Sequence, residues 1–163
     1  MNPLKKLIET PNDPLLTVLR LVLGIIFFAH GAQQTLGQFG GFGLSGTVNF
    51  FITVLHISAS LAFASIMAGF AGGIALILGL ASRLAALAIG INMLIAIVMV
   101  HARYGLFMNW FGTQKGEGFE YHLLAIAVAL PIIIRGSGAL SLDRLVGKLA
   151  RRDVHSEAIP IHR

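Results

Sequence analysis

Residues 84–100 read LAALAIGINMLIAIVMV, and Asn92 is the only strongly polar residue among them. A helix needs about 20 mostly apolar residues to cross the hydrocarbon core of a bilayer. Lipid offers no hydrogen bonds, so the backbone amides of such a segment must pair with each other, as they do in a helix. This stretch therefore predicts a membrane-spanning helix in an integral membrane protein.

Three further stretches predict spans on either side of this one. The four predicted spans cover about residues 14–36, 57–80, 84–100 and 120–134. Pro14 suits the first turn of a helix, whereas Pro131 removes an amide donor and is expected to kink the last span. The predicted fold class is all-α, an integral membrane four-helix bundle that forms a single domain over residues 1–163.

Composition supports a membrane protein and excludes several other classes. The chain has 163 residues, of which 56% are hydrophobic and 12% charged, with a mean hydropathy of +0.82. A soluble domain has about 25% charged residues. The net charge of +5 does not indicate a nucleic-acid partner, because the basic residues fall at the ends of the apolar stretches. The chain has no cysteine, which excludes a dithiol relay or a thiolate-ligated metal or iron–sulfur site built from its own residues.

The basic residues also predict orientation. One side of the membrane would carry Lys5, Lys6, Arg83, Arg135, Arg144, Lys148, Arg151, Arg152 and Arg163. The other side would carry Arg103 and Lys115. The positive-inside rule then places both termini in the cytoplasm of a multi-pass protein of the cell (inner) membrane.

Two segments outside the spans are expected to lie at the membrane surface. Residues 38–56 are glycine-rich and then apolar, which favours a short helix in the outer interface. Residues 141–149 predict a basic amphipathic helix on the cytoplasmic leaflet, with Ser141 as its N-cap. The tail, residues 153–163, is predicted to be disordered.

Small residues recur every fourth position in the second span, at Ser65, Gly69 and Gly73. This spacing lets helices approach closely. We favour packing within the bundle over a homo-oligomer contact, because four helices must first pack against each other.

Polar residues concentrate at the outer ends of the spans, where a buried polar group is costly and usually faces a partner, a cavity or a ligand. The candidate pocket residues are His30, Gln34, His101, Arg103, Glu120 and Tyr121. Helical phase separates His122 from Glu120 by about 200°, so His122 is expected to point elsewhere.

Several interpretations of this cluster compete. Histidine and carboxylate are suitable metal ligands, but no pair has the i, i+4 spacing of a helical metal motif, so no metal ligand is assigned. A haem held by two of the histidines has no further support. A pocket for a quinone or a similar lipid-soluble molecule with a polar head fits the mixture of polar and aromatic residues. The structural alternative is a hydrogen-bonded plug in which Arg103 pairs with Glu120.

One charge lies inside the first span. Arg20 is expected either to reach the cytoplasmic headgroups with its long side chain or to form a structural ion pair with Asp143.

In order along the chain, the residues discussed above and their neighbours resemble the DoxX family of small membrane proteins, from Arg20 to Asp143. The matching pieces are Arg20 with Gly24, HGAQ at 30–33 with Gly37, GGIALILGL at 72–80 with Arg83, His101, GFEY at 118–121 and GSGALSLD at 136–143. The resemblance implies a four-helix membrane bundle. It also implies a redox association, since members are often labelled oxidoreductases, and one branch resembles the membrane subunit of thiosulfate:quinone oxidoreductase.

Two departures from the family pattern occur together. Relatives often carry Lys where this chain has Gln34, and Glu where it has Gly69. We interpret the two missing charges as an intramembrane pair in relatives, because loss of one would leave the other unpaired.

The predicted function is a small membrane component of a redox system that binds a quinone-like molecule, with no other cofactor assigned. Its predicted partners are the bilayer and a redox-enzyme partner protein. Alternatives are a non-catalytic scaffold or assembly partner of a redox or stress-response complex and, less favoured, a small-solute transporter subunit. The residues leave open whether the chain itself catalyses a reaction.

Overall fold

The computed structural model describes the backbone of residues 8–156 and the side chains of residues 8–149. All regular structure in this part of the chain is helical. The helices are α1 (Pro14–Leu36), α2 (Gly43–Thr53), α3 (Ala59–Leu78), α4 (Ser82–Ala96), α5 (Glu120–Arg135) and α6 (Leu142–Ser156). Helix α4 continues as a π-helical turn, Ile97–His101, and a 3-10 turn, Ala102–Tyr104.

Three helical segments are long and apolar enough to cross a membrane: Pro14–Leu36, Ala59–Leu78 and Ser82–Tyr104, with mean hydropathies of 2.0, 2.2 and 2.3. These lie within or close to three of the predicted spans. Helix α5 has 16 residues, which at 1.5 Å per residue gives a length of about 24 Å. The fourth span therefore stays a prediction, as do the membrane bundle and the cytoplasmic termini.

Four helices share one apolar core. Helix α1 packs against α3 and α5, and α4 packs against the same two helices. The core side chains are Leu23 and Phe27 from α1, Leu76 from α3, Ala85, Ala86, Ile89 and Met93 from α4, and Ala125, Ala129 and Ile132 from α5. We call the end of these helices that contains Leu36, Ala59, Tyr104 and Glu120 the distal end, and the opposite end the proximal end.

Close backbone approach joins α1 to α3. A Cβ atom added to Gly31 would lie 2.4 Å from Cα of Phe70, and one added to Gly73 would lie 2.5 Å from the amide nitrogen of Phe28. Small residues thus pack helix on helix within the chain, as predicted for Gly73. The other two members of that stripe, Ser65 and Gly69, line a cavity instead.

A buried polar network ties the proximal end together. Arg20 is 1% exposed and donates to the carbonyl oxygens of Leu76 and Ile77 at the C-terminus of α3, while Asp143, also 1% exposed, accepts the amide hydrogens of Ala81 and Ser82 at the start of α4. Each charge complements the dipole of the helix end that it caps.

The predicted Arg20–Asp143 pair is indirect. Within the described residues, the two side chains do not contact each other. Ser137 connects them, since its carbonyl oxygen accepts from Nε of Arg20 at 2.9 Å and its hydroxyl donates to Asp143. The two charges therefore occupy one buried site with a serine between them, and Arg20 does not extend to the surface.

Helix α6 begins close to its predicted start but runs further. The Ser141 hydroxyl accepts from the amide of Arg144 at 3.3 Å, which matches the predicted N-cap. Residues 153–156, predicted to belong to a disordered tail, continue the helix to Ser156. Residues 157–163 of that tail lie outside the described part of the chain.

Candidate functional site

A cavity of about 560 Å³ opens at the distal end, among α1, α2, α3, α4 and α5. Its wall is largely apolar, with Phe27, Phe50, Phe51 and Met93 among the contributors. Ligand pockets of this size usually combine apolar and aromatic walls with a few convergent polar groups. The cavity is therefore the part of the fold best suited to a small molecule.

Four of the six predicted pocket residues line this cavity: His30, Gln34, His101 and Tyr121. The side chain of His30 is exposed and lies edge-on to the ring of Tyr121, with centroids 6.1 Å apart. Gln34 is half-buried on the same face of α1. These side chains come from two helices, α1 and α5, and from the π-helical turn after α4, so tertiary packing brings them together.

The other two predicted residues lie outside the cavity. Arg103 is exposed, and its guanidinium lies 4.9 Å from the centroid of the Tyr104 ring. Glu120 accepts the amide hydrogen of Met108 at 3.2 Å. Within the described residues these two side chains form no ion pair, so the plug that would pair them is not formed.

The π-helical turn explains why His101 lines the cavity and Arg103 does not. In a continuous α-helix, Met99 and Arg103 would follow the cavity-lining Asn92 and Ala96 on one face. The π-helical turn is wider than an α-helical turn, and the amide of Ala102 donates to the carbonyl oxygen of Ile97, five residues earlier. The cavity-lining positions become Val100 and His101, whereas Met99 is 49% exposed.

His101 forms a close pair with His122 at the cavity wall. The ring centroids are 4.1 Å apart and the planes are tilted by 42°. Nδ1 of His101 lies 2.8 Å from the carbonyl oxygen of Glu117, which can only accept, so Nδ1 carries a proton and donates. In the neutral ring, Nε2 is then an acceptor.

His122 was expected to point away from the site, and it lines the cavity instead. It is 7% exposed, and its Nδ1 has no hydrogen-bond partner in the described part of the chain. The hydroxyl of Tyr121 is likewise buried without a partner there. Glu120 and His122 diverge, as their helical phase predicts, but it is Glu120 that turns away, to the loop before α5. Burial of His122 had no signal in the sequence.

A second polar pair lies deeper. The hydroxyl of Ser65 donates to Oδ1 of Asn92 at 2.6 Å, and Nδ2 of Asn92 lies 3.3 Å from the carbonyl oxygen of Ser65. Both residues line the cavity. Asn92 is the tenth residue after Ser82, which places it about 15 Å from the start of α4. The cavity thus extends from the distal end towards the middle of the helices.

The described residues contain no group of three or more His, Asp or Glu side chains arranged to hold a metal ion. The rings of His101 and His122 lie in close contact with tilted planes. The arrangement can donate and accept hydrogen bonds with a ligand that carries oxygen atoms.

Comparisons with known proteins identify the family. The DoxX family model matches residues 15–102. The chain belongs to the DoxX family. The predicted membership is thereby confirmed. The DoxX match includes the cavity residues His30, Gln34, Ser65, Asn92 and His101, whereas Tyr121 and His122 lie beyond it.

A related protein matches more of the chain than the family model does. This DoxX protein is 30% identical over 131 residues to a protein named putative oxidoreductase CatD from Bacillus subtilis (strain 168), across 80% of this chain and 86% of the relative. No solved structure matches the chain. The family and this relative indicate a membrane protein with a redox-associated role.

Proposed function

We propose that this DoxX protein is a small component of a redox system in the cell (inner) membrane, and that it binds a quinone-like molecule in the distal cavity. The observation that carries the proposal is the His101–His122 pair in the wall of an otherwise largely apolar cavity. A quinone or quinol combines an apolar ring with oxygen atoms that accept or donate hydrogen bonds. The cavity offers a complementary set of groups.

Each part of the wall has a role in this proposal. The aromatic side chains of Phe27, Phe50 and Phe51 would contact the ring. Nε2 of His101 would accept a hydrogen bond from a quinol hydroxyl, and Tyr121 and His122 would supply further polar contacts. The sequence contains no cysteine ligands for an electron carrier, so electrons would pass between the quinone and a partner redox enzyme.

The proposal includes a membrane arrangement. Helices α1, α3, α4 and α5 form a four-helix membrane bundle with both termini in the cytoplasm, which places the cavity near the outer surface. The shared apolar core supports the bundle. Reporter domains fused after residue 163 and inserted near Lys115 test this orientation. Cytoplasmic signal from the first and external signal from the second are expected, and the reverse would refute it.

Lipid extraction tests the ligand. Protein purified in mild detergent is extracted, and bound quinone is quantified for wild type, His101→Phe and His122→Phe. Phenylalanine retains a planar ring but removes the ring nitrogens. We expect quinone in wild type and its loss in both variants. Arg103→Ala and Glu120→Gln are matched controls, because both side chains lie at the distal end but outside the cavity. Equal quinone content in all five proteins would reject the site.

A scaffold role is the second candidate, favoured by one observation. Helix α6 leaves Leu142, Leu145, Val146 and Leu149 exposed by 39%, 54%, 45% and 51%. With the basic residues beside it, this face suits an anionic membrane surface or a partner protein. Loss of a co-purified partner on deletion of residues 144–163, with quinone content unchanged, would favour the scaffold.

A further inference from the structure

Gly69 faces open space although it is buried. A Cβ atom added to it would meet no atom within 4 Å, yet the residue belongs to the buried set of α3. At Gly69 the open space is an internal void. Gly69 lines the distal cavity, so the void is the inner part of that cavity.

The next two glycines on α3, Gly72 and Gly73, face neighbouring helices and not open space. A Cβ atom at Gly72 would lie 3.4 Å from the side chain of Ile89, and one at Gly73 would lie 2.5 Å from the amide nitrogen of Phe28. Gly73 thus allows α1 and α3 to touch, whereas a side chain at Gly72 would make an ordinary contact with α4. Glycine is unfavourable in a helix interior compared with alanine, and no helix contact accounts for it at position 69.

A polar pair borders this open space. Ser65 lies one turn before Gly69 on α3 and is hydrogen-bonded to Asn92 across the cavity wall. An amide nitrogen has two hydrogens, so Asn92 retains one donor beyond its bond to the Ser65 carbonyl, and the Ser65 hydroxyl retains acceptor capacity. Phe27 and Met93 add apolar surface to the same cavity.

We infer that Gly69 and the Ser65–Asn92 pair form an inner subsite for the ring of the ligand, and that the size of residue 69 determines which rings fit. The ligand class is a planar, oxygen-substituted ring whose oxygen atom hydrogen-bonds to Asn92. This inference rests on the proposed function, since it concerns the same cavity.

The test compares substitutions at two glycines. Gly90, on α4, is also buried, and an added Cβ there meets nothing within 4 Å, but it does not line the cavity. The variants are Gly69→Ala, Gly69→Leu, Gly90→Ala and Gly90→Leu. Binding of a methyl-substituted benzoquinone, with one ring, and a methyl-substituted naphthoquinone, with two fused rings, is measured on purified protein. Thermal unfolding is measured in parallel.

Wild type is expected to bind both probes. Gly69→Ala should weaken the naphthoquinone by about tenfold more than the benzoquinone, since a single methyl group in a pocket changes affinity by this order. Gly69→Leu should abolish the binding of both quinones. The Gly90 variants should bind both with the affinities of wild type. If Gly69→Leu fails to fold, the ratio of the two quinone affinities in Gly69→Ala, compared with wild type, tests the subsite.

The outcomes separate the two proposals. Binding by wild type with the same affinities in Gly69→Ala overturns the subsite and leaves the quinone pocket intact. Failure of wild type to bind either probe overturns the quinone pocket and the subsite with it. Equal losses at Gly69 and Gly90 also overturn the subsite, because the effect would then follow helix packing.

Discussion

The imidazole of His122 lies against that of His101, with ring centroids 4.1 Å apart, although the two residues come from different helical segments. His101 is oriented by its hydrogen bond to the Glu117 carbonyl. His122 is buried with a nitrogen that has no partner within the described residues. A polar atom that is buried without a partner costs stability. Groups that bear such a cost are often retained because they bind a ligand.

Because the unpaired nitrogen costs stability, we expect His122→Leu to keep or raise stability while it abolishes quinone binding. Removing the unpaired nitrogen should leave the free energy of unfolding within about 1 kcal/mol of wild type or raise it. Bound quinone should nevertheless be lost. Thermal unfolding in detergent and quinone extraction on one preparation measure both. A variant that unfolds at a much lower temperature and keeps its quinone would contradict this account.

Two glycines on facing helices should respond oppositely to alanine. Gly31→Ala places a Cβ atom 2.4 Å from Cα of Phe70, so the helices must separate, at a cost of about 1–3 kcal/mol. Gly69→Ala meets nothing within 4 Å and should stabilise the helix by about 0.5–1 kcal/mol. Unfolding temperatures that fall for the first and rise for the second are expected. Equal shifts in one direction would disprove the assigned contacts.

The proximal network should behave as a coupled unit. Arg20→Gln leaves buried Asp143 without a nearby positive charge, and Asp143→Asn does the reverse, so each should cost about 3–5 kcal/mol. The double variant should cost less than the sum, because neither buried charge remains. Arg103→Gln, at an exposed position of the distal end, serves as the control. Additive losses would show that the link through Ser137 carries no coupling.

The two family departures can be reversed in this chain. Gln34 and Gly69 line the same cavity, and position 69 has room for a longer side chain. Gly69→Glu alone should destabilise, because it places an unpaired charge in an apolar setting. Adding Gln34→Lys should recover stability by pairing that charge. A double variant no more stable than Gly69→Glu would refute the interpretation of the missing charges as a pair.

Hydropathy and local chemistry predicted much of the fold. Helix α1 has the bounds of the first predicted span, because Pro14 lies in its first turn, Asp13 caps it and Gly37 ends it in a left-handed conformation. The Ser141 cap and the amphipathic helix α6 could also be predicted from the sequence, since both depend on residues a few positions apart. The predicted second span was longer than α3 at each end, because apolar turn residues continue the pattern without continuing the helix.

The candidate site was less predictable, because it depends on side-chain direction. Helical phase assumed 3.6 residues per turn along the third span, and the π turn at Ile97–His101 changed which residues line the cavity. With this turn His101 lines the cavity, as predicted, and Arg103, also predicted to line it, is exposed. The role of Ser137 between Arg20 and Asp143 was equally hidden, since a backbone carbonyl and a hydroxyl carry no sequence signal.

The sequence by itself determined the all-helical class, the apolar helices and the DoxX family, because these depend on composition, periodicity and local order along the chain. Tertiary structure decided that His122 rather than Glu120 lines the cavity, that Gly69 faces a void while Gly73 faces a helix, and that two buried charges meet through a serine. Those outcomes depend on which helix faces approach each other. That approach is governed by side-chain volume and close packing in three dimensions.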